Sequence, residues 1–196
     1  MFRSFDMTFT GVTREYLQQR YQQSSLILEY GTGGSTCYAA EIGKPVIAVE
    51  SSIHWLMELA ASCAERELPG RVVPLWVDIG QTKEWGYPVD ESKSKEWQKY
   101  ATNPWVYCDE HGLSPDVVLI DGRFRVACFL ATCLAIRKKT EILFDDFVGR
   151  PYYHSVLNIA PAARHVDDRM AVFEVEPGQL QPEYLLRNLG FFSDPR

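Results

Sequence analysis

Apolar runs and helical patterns alternate along most of this chain. A polar opening stretch, Thr13 to Ser24 (TREYLQQRYQQS), reads as a helix capped by Thr13, and Ser25 to Tyr30 (SLILEY) follows as a short apolar run stopped by glycines. Thr36 to Ile42 has helical composition, Pro45 to Glu50 (PVIAVE) is a second apolar run, and Ile53 to Arg66 carries apolar residues at 53, 56, 57, 60 and 64. With Arg71 to Val77 as the next run, both strands flanking that helix are expected to be buried on two faces, as central parallel strands are. The pattern resumes with Asp116 to Ile120 (DVVLI), a helix near Val126 to Ile136, and Glu141 to Phe144 (EILF). Arg164 to Val166 and Met170 to Val175 flank Asp167-Asp168-Arg169 as a tight hairpin, and a last helix is expected near Pro182 to Asn188. The prediction is a doubly wound, Rossmann-like α/β fold over residues 1–196, its sheet mainly parallel with an antiparallel hairpin at the carboxyl end.

One segment breaks the alternation. Gln81 to Asp109 interleaves Lys, Asp and Glu with Trp85, Tyr87, Trp97, Tyr100, Trp105 and Tyr107, and reads as a large insertion or an elaborated crossover. Its aromatic residues either form a stacking wall for a flat or sugar substrate or anchor a long loop to the core.

Charge and cysteine usage narrow the class. The chain has 196 residues, with 20 Lys and Arg against 26 Asp and Glu for a net charge of −6, and no basic block, so a nucleic-acid partner is not expected. The longest apolar stretch, Val126 to Ile136, is 11 residues between Arg125 and Arg137. A membrane span needs about 20, so no membrane partner is expected either. The opening MFRSFDMTFTG contains Asp6 and no apolar run of signal-peptide length, which points to a cytoplasmic protein. Five Cys (37, 63, 108, 128, 133) show no CxxC and no His/Cys ligand spacing, and read as free thiols.

In an open parallel sheet the ligand lies outside the carboxyl ends of the strands, where the strand order reverses, so the first turn carries the search. It reads Glu29-Tyr30-Gly31-Thr32-Gly33-Gly34-Ser35-Thr36. Glycines there take positive φ and let backbone approach a ligand. Glu50 ends the next strand 19 residues after Gly31, where a carboxylate accepts both hydroxyls of a ribose. The pairing implies a nucleoside ligand. A phosphate-cradling loop of the GxxxxGK[ST] type is excluded, because no Lys occurs between Gln23 and Ile42. A dinucleotide fingerprint would need glycine at Thr36 and would set Glu29 against a pyrophosphate, which disfavours an NAD-dependent oxidoreductase.

EYGTGGST followed by VIAVES resembles the first two motifs of the class I S-adenosylmethionine-dependent methyltransferases, and the resemblance extends over roughly residues 25–80 and 116–176. It implies that Glu29 lies near the amino-acid end of S-adenosylmethionine, that Gly31 and Gly33 underlie the cofactor, and that Glu50 holds its ribose. VDIG, Val77 to Gly80, looks like the adenine-contacting segment of the family, making Asp78 and Ile79 candidates; the third family glycine is Ser35 here. The activity implied is methyl transfer, on oxygen, to a small hydroxylated acceptor of sugar or phenolic type. A non-catalytic nucleoside binder is the rival reading.

The resemblance extends to catechol-type and macrocin-type O-methyltransferases, which place acids after strands four and five. Asp121, Asp145 and Asp146 occupy those places and are candidate Mg²⁺ ligands, since hard oxygen donors suit that ion and three unpaired carboxylates in one cleft repel. The plainer alternative pairs Asp121 with Arg123 or Arg125 and leaves Asp145 and Asp146 as caps. The catechol-type lysine three residues after the first acid is Phe124, so proton removal would fall to Asp121's surroundings: Arg123, Arg125 or His154. Arg123 and Arg125 either hold an anionic substrate or pair with Asp121 and Glu29, and His154 is either a base or an ordinary surface histidine.

Overall fold

The computed structural model describes residues 5–196. Seven strands form one sheet: β1 (Ile27–Tyr30), β2 (Val46–Glu50), β3 (Val72–Trp76), β4 (Val117–Ile120), β5 (Thr140–Phe144), β6 (Arg164–Val166) and β7 (Met170–Val175). Their order is β3-β2-β1-β4-β5-β7-β6, with β1 to β5 parallel and β7 antiparallel to both its neighbours. Six helices connect and flank them: α1 (Gly11–Gln23), α2 (Gly34–Glu41), α3 (Ile53–Glu65), α4 (Gln98–Glu110), α5 (Arg125–Ala135) and α6 (Pro182–Arg187). The chain order reverses between β1 and β4, which sets the switch point beside the glycine turn.

Period-two alternation sorts the strand residues between two helix layers. Leu28, Tyr30, Ile47, Val49, Val118, Ile120, Ile142 and Phe144 face α4 and α5, while Ile27, Val46, Val117, Leu119 and Leu143 face Leu17 and Tyr21 of α1 and Ala39 of α2. Helix α5 is buried from Arg125 through Cys133, covered by α4 and by two 3-10 stretches, Pro151–Asn158 and Leu189–Ser193. All five cysteines are free and buried, and among the described residues no helix is long and apolar enough to cross a membrane.

Two expectations are corrected and one pair of alternatives is decided. Thr13 does not cap α1; Thr10 holds that position without a side-chain bond, and Thr13 joins Leu17 and Tyr21 at four-residue spacing on the buried face. Strand β3 is not buried on both faces: it is the sheet edge, with Trp76 47% exposed, which is also why Pro74 is tolerated there. Of the two readings of segment 81–109 the structure bears out the elaborated crossover, because its second half is α4, which connects β3 to β4. Tyr100, Ala101, Pro104, Trp105 and Cys108 form that helix's buried face, so Trp97, Tyr100 and Trp105 anchor, whereas Trp85 is 84% exposed.

Candidate functional site

The turn after β1 is wedged between the ends of β2 and β4. Gly31 N donates to Val49 O at 2.9 Å, and Asp121 N donates to Tyr30 O at 2.9 Å. Gly31 has φ +91°, and a Cβ there would lie 2.8 Å from the backbone nitrogen of Gly122. Two strand-end turns therefore touch backbone to backbone, and only glycine fits. Gly33 differs: its φ of 173° is extended, and a Cβ there would meet nothing within 4 Å.

Glu50 ends β2 beside this turn and is nearly buried. One carboxylate oxygen accepts from Thr32 N (3.3 Å) and Thr32 Oγ1 (3.1 Å). The other accepts from Ser51 N (2.8 Å), Ser51 Oγ (3.2 Å) and Ser52 N (3.0 Å). Its donors are all uncharged, and two are hydroxyls. Thr32, between the glycines, was not anticipated; a hydroxyl residue set between two glycines was the signal for it.

Glu29 lies on the other face of β1 from Tyr30, and its carboxylate is sealed from solvent. Tyr21 Oη donates to it at 2.6 Å and Thr36 Oγ1 donates to its second oxygen. Burial pushes its carboxyl up to about 7, against those two hydrogen bonds, which lower it. The expectation of a cofactor-facing acid is corrected accordingly: Glu29 ties α1 to α2 from beneath the turn, because alternation points it with Ile27 into the helix layer.

Asp78 and Ile79, the expected adenine contacts, lie in different surroundings. Asp78 is half-buried, accepting from Gly80 N (2.9 Å) and from Lys93 Nζ (2.9 Å), and the lysine draws its carboxyl below the usual range. Ile79 is a core residue with no exposed surface, and its carbonyl accepts from Trp97 Nε1 at 2.8 Å. Its side chain is committed to the core and cannot line an open site.

Asp121, Asp145 and Asp146 do converge, with one carboxylate oxygen of each within 4.8 Å of the others. Arginines neutralise them. Arg169 grips fully buried Asp145 with Nε and Nη2 at 2.6 and 2.7 Å, and Arg150 holds Asp146 at 2.7 Å. Arg125 reaches Asp121 at 3.1 Å and Asp146 at 3.5 Å, and donates to the Asp145 carbonyl at 2.7 Å. The Mg²⁺ expectation finds no support in this charge balance: three guanidinium groups supply the charge a cation would bring, Arg169 engaging both oxygens of Asp145 while Arg125 pairs with Oδ1 of Asp121. Burial and the adjacent Asp145 carboxyl hold Asp121 well above the usual carboxylate range, with Arg125 pulling the other way. Its side chain keeps 30% exposure.

Of the remaining candidates, His154 shares a hydrogen bond of 3.0 Å between Nε2 and the Phe147 carbonyl and packs on the Phe147 ring, an anchoring role. Arg125 is spent on the acid cluster. Arg123 pairs with neither Asp121 nor Glu29; its guanidinium lies 4.1 Å over the ring of Tyr87. A guanidinium offers donors only, so neither arginine is a proton acceptor.

Comparison with known proteins agrees with this architecture. A methyltransferase-like protein from Silicibacter pomeroyi is 37% identical, over 98% of this chain and 99% of that one, with a TM-score of 0.91. The chain belongs to the class I S-adenosylmethionine-dependent methyltransferase family. Two further structures share the fold: the O-methyltransferase TomG of Streptomyces achromogenes in complex with S-adenosylmethionine (15% identity, 86% of this chain and 82% of that one, TM-score 0.55), and an O-methyltransferase from Bacillus cereus in complex with S-adenosylhomocysteine (20%, 88% and 84%, TM-score 0.56). No family model matches the chain, and no curated protein does.

Proposed function

We propose that this protein binds S-adenosylmethionine along the Gly31–Gly33 turn, with the ribose on Glu50, and methylates an oxygen of a small hydroxylated acceptor, a sugar or a phenol. The observation that carries the reading is Glu50 itself. Its carboxylate stands at the switch point and is satisfied by neutral hydroxyl and amide donors of Thr32, Ser51 and Ser52. Ribose hydroxyls can take over the bonds of the Thr32 and Ser51 hydroxyls without any change of charge. Gly33 adds an open backbone face.

When bound, the cofactor supplies an electrophilic methyl group on a sulfonium, so the protein's work is positioning the acceptor and removing its proton. Asp121, beside Gly31 through Gly122, pairs with Arg125 through Oδ1 but keeps 30% of its side chain exposed, and its other oxygen is the one that would take that proton. Its raised affinity for a proton makes it a stronger base once ionised, and turnover should rise with pH as it ionises.

Calorimetry with S-adenosylhomocysteine tests the binding half. Glu50→Ala should lose about 1.5–3 kcal/mol, roughly tenfold or more in affinity, because a charged acceptor is removed from two hydroxyls. Unchanged affinity would remove the ribose assignment. The rival reading, a nucleoside binder without transfer activity, is favoured by Phe124 in the lysine's place and by the anchoring of His154. Tight binding without methylation of any phenol or sugar tried would decide for it.

A further inference from the structure

Arg123 is 5% exposed, and its guanidinium makes no hydrogen bond or ion pair among the described residues; Nε and Nη1 are wholly buried without partners. A buried charge left unpaired is costly, and among the described residues the contact that offsets the cost is the ring of Tyr87 stacked over it. The neighbours locate this group at the mouth of the site. Its own backbone nitrogen lies 3.5 Å from Tyr100 Oη, whose proton affinity responds to both the Glu50 carboxylate and Arg123. A Cβ on Gly86 would lie 3.3 Å from Ser51 Oγ and 3.7 Å from Arg123 Cγ, so the turn bearing Tyr87 bridges the ends of β2 and β4. That turn is strained: Trp85 and Gly86 both take left-handed backbone (φ +62° and +73°), which the tryptophan accepts at a cost while pointing into solvent.

An unpaired guanidinium, buried at the strand ends under a strained turn, has the form of a receptor waiting for its counter-ion. Arg125, two residues on, shows the contrast: equally buried, it is fully engaged with acids. We infer that Arg123 receives an oxyanion, a carboxylate or phosphate borne by the ligand of this cleft, which takes the place of the Tyr87 ring against the guanidinium fork. The inference rests on the methyltransferase reading for which ligand carries the anion. Either the amino-acid carboxylate of the cofactor or an acidic group on the acceptor has the required chemistry, and both present the planar or tripodal oxygens that a guanidinium binds in pairs.

Two matched pairs of probes separate the sources: S-adenosylhomocysteine against methylthioadenosine, which lacks the amino-acid carboxylate, and 3,4-dihydroxybenzoate against catechol. Inorganic phosphate serves as a bare oxyanion. Each is titrated into wild type and Arg123→Met, with Arg123→Lys replacing the latter should it not fold. The expected result is that wild type prefers the carboxylated member of one pair at least tenfold and that Arg123→Met erases the preference while leaving the uncharged member's affinity unchanged. Thermal stability should hold or rise in Arg123→Met, since an unpaired buried charge is removed, whereas a purely structural arginine would lower it. The inference is overturned if no probe, phosphate included, distinguishes wild type from the variant. If neither nucleoside binds wild type, the methyltransferase reading fails, and the dihydroxybenzoate pair and phosphate decide the inference alone.

Discussion

The carboxyl edge of the sheet has two halves, and each gathers carboxylates at strand ends in a different way. On the β2–β1 side, Glu50 takes its hydrogen bonds from amides and hydroxyls. On the β4–β5 side, Asp121, Asp145 and Asp146 are locked to Arg125, Arg150 and Arg169. Hydroxyl partners can be exchanged for a ligand's hydroxyls with little penalty, whereas withdrawing one partner from a buried ion cluster strands the rest. An acid at a strand end is therefore poor evidence of a site by itself. The nature of its donors separates a binding carboxylate from a structural one.

The sharpest way to break that contrast is to remove Arg125, which is 3% exposed and touches all three acids. Arg125→Met should cost about 3–5 kcal/mol in urea unfolding, the usual penalty for stranding a buried charge. Thr32→Val, which takes one hydroxyl from Glu50, should cost only about 1 kcal/mol. Similar losses for the two would erase the distinction between the halves.

Glu29 sharpens the comparison from below, as a carboxyl that belongs to neither half. Burial raises its pKa from 4.5 to about 7, so the folded protein binds this proton more tightly than the unfolded chain does. Its contribution is present in full below pH 4.5 and is lost as pH rises toward 7, an effect of about 3 kcal/mol across that window. Asp121 works in the same direction, so the informative quantity is a difference: wild type should lose stability relative to Glu29→Gln between pH 5 and 8. Parallel pH curves for the two proteins would mean that Glu29 is ionised in its buried place.

The sequence showed the fold more completely than the site, for physical reasons. Strand runs such as VIAVE and VVLI and the hairpin around Asp167 are local patterns, and they lie where periodicity puts them. Helix α4 was hidden because Pro104 and interleaved charges mask a buried face that Tyr100, Ala101, Trp105 and Cys108 still trace at helical spacing. The meeting of Asp121, Asp145 and Asp146 followed from strand ends alone. Their neutralisation did not, since Arg169 reaches Asp145 from the β6–β7 hairpin, a long-range pairing with no local trace. Glu29's inward orientation was within reach: extending the alternation of Ile27 and Leu28 by one step assigns it to the α1–α2 layer.

The smallest expected effect on stability is the one that best separates fold from binding on the β1 side. The two glycines of the turn look interchangeable as letters but have different surroundings. Alanine at Gly31 would have to hold φ +91° with its Cβ 2.8 Å from the Gly122 nitrogen, so Gly31→Ala should destabilise the fold by about 1–3 kcal/mol as an overpacked, strained site. Alanine at Gly33 faces no neighbour within 4 Å and keeps an extended backbone, so unfolding should shift by no more than about 0.5 kcal/mol. If a cofactor's methionine chain lies against that bare backbone, the added methyl stands where the ligand must approach, and affinity for S-adenosylhomocysteine should fall roughly tenfold or more, equivalent to about 1.4 kcal/mol. Lost affinity with intact stability in Gly33→Ala marks the turn as a binding surface. Intact affinity would mean that the glycines serve only the contact between the ends of β1 and β4, and the ligand would then have to be sought on the Arg123 side of the edge.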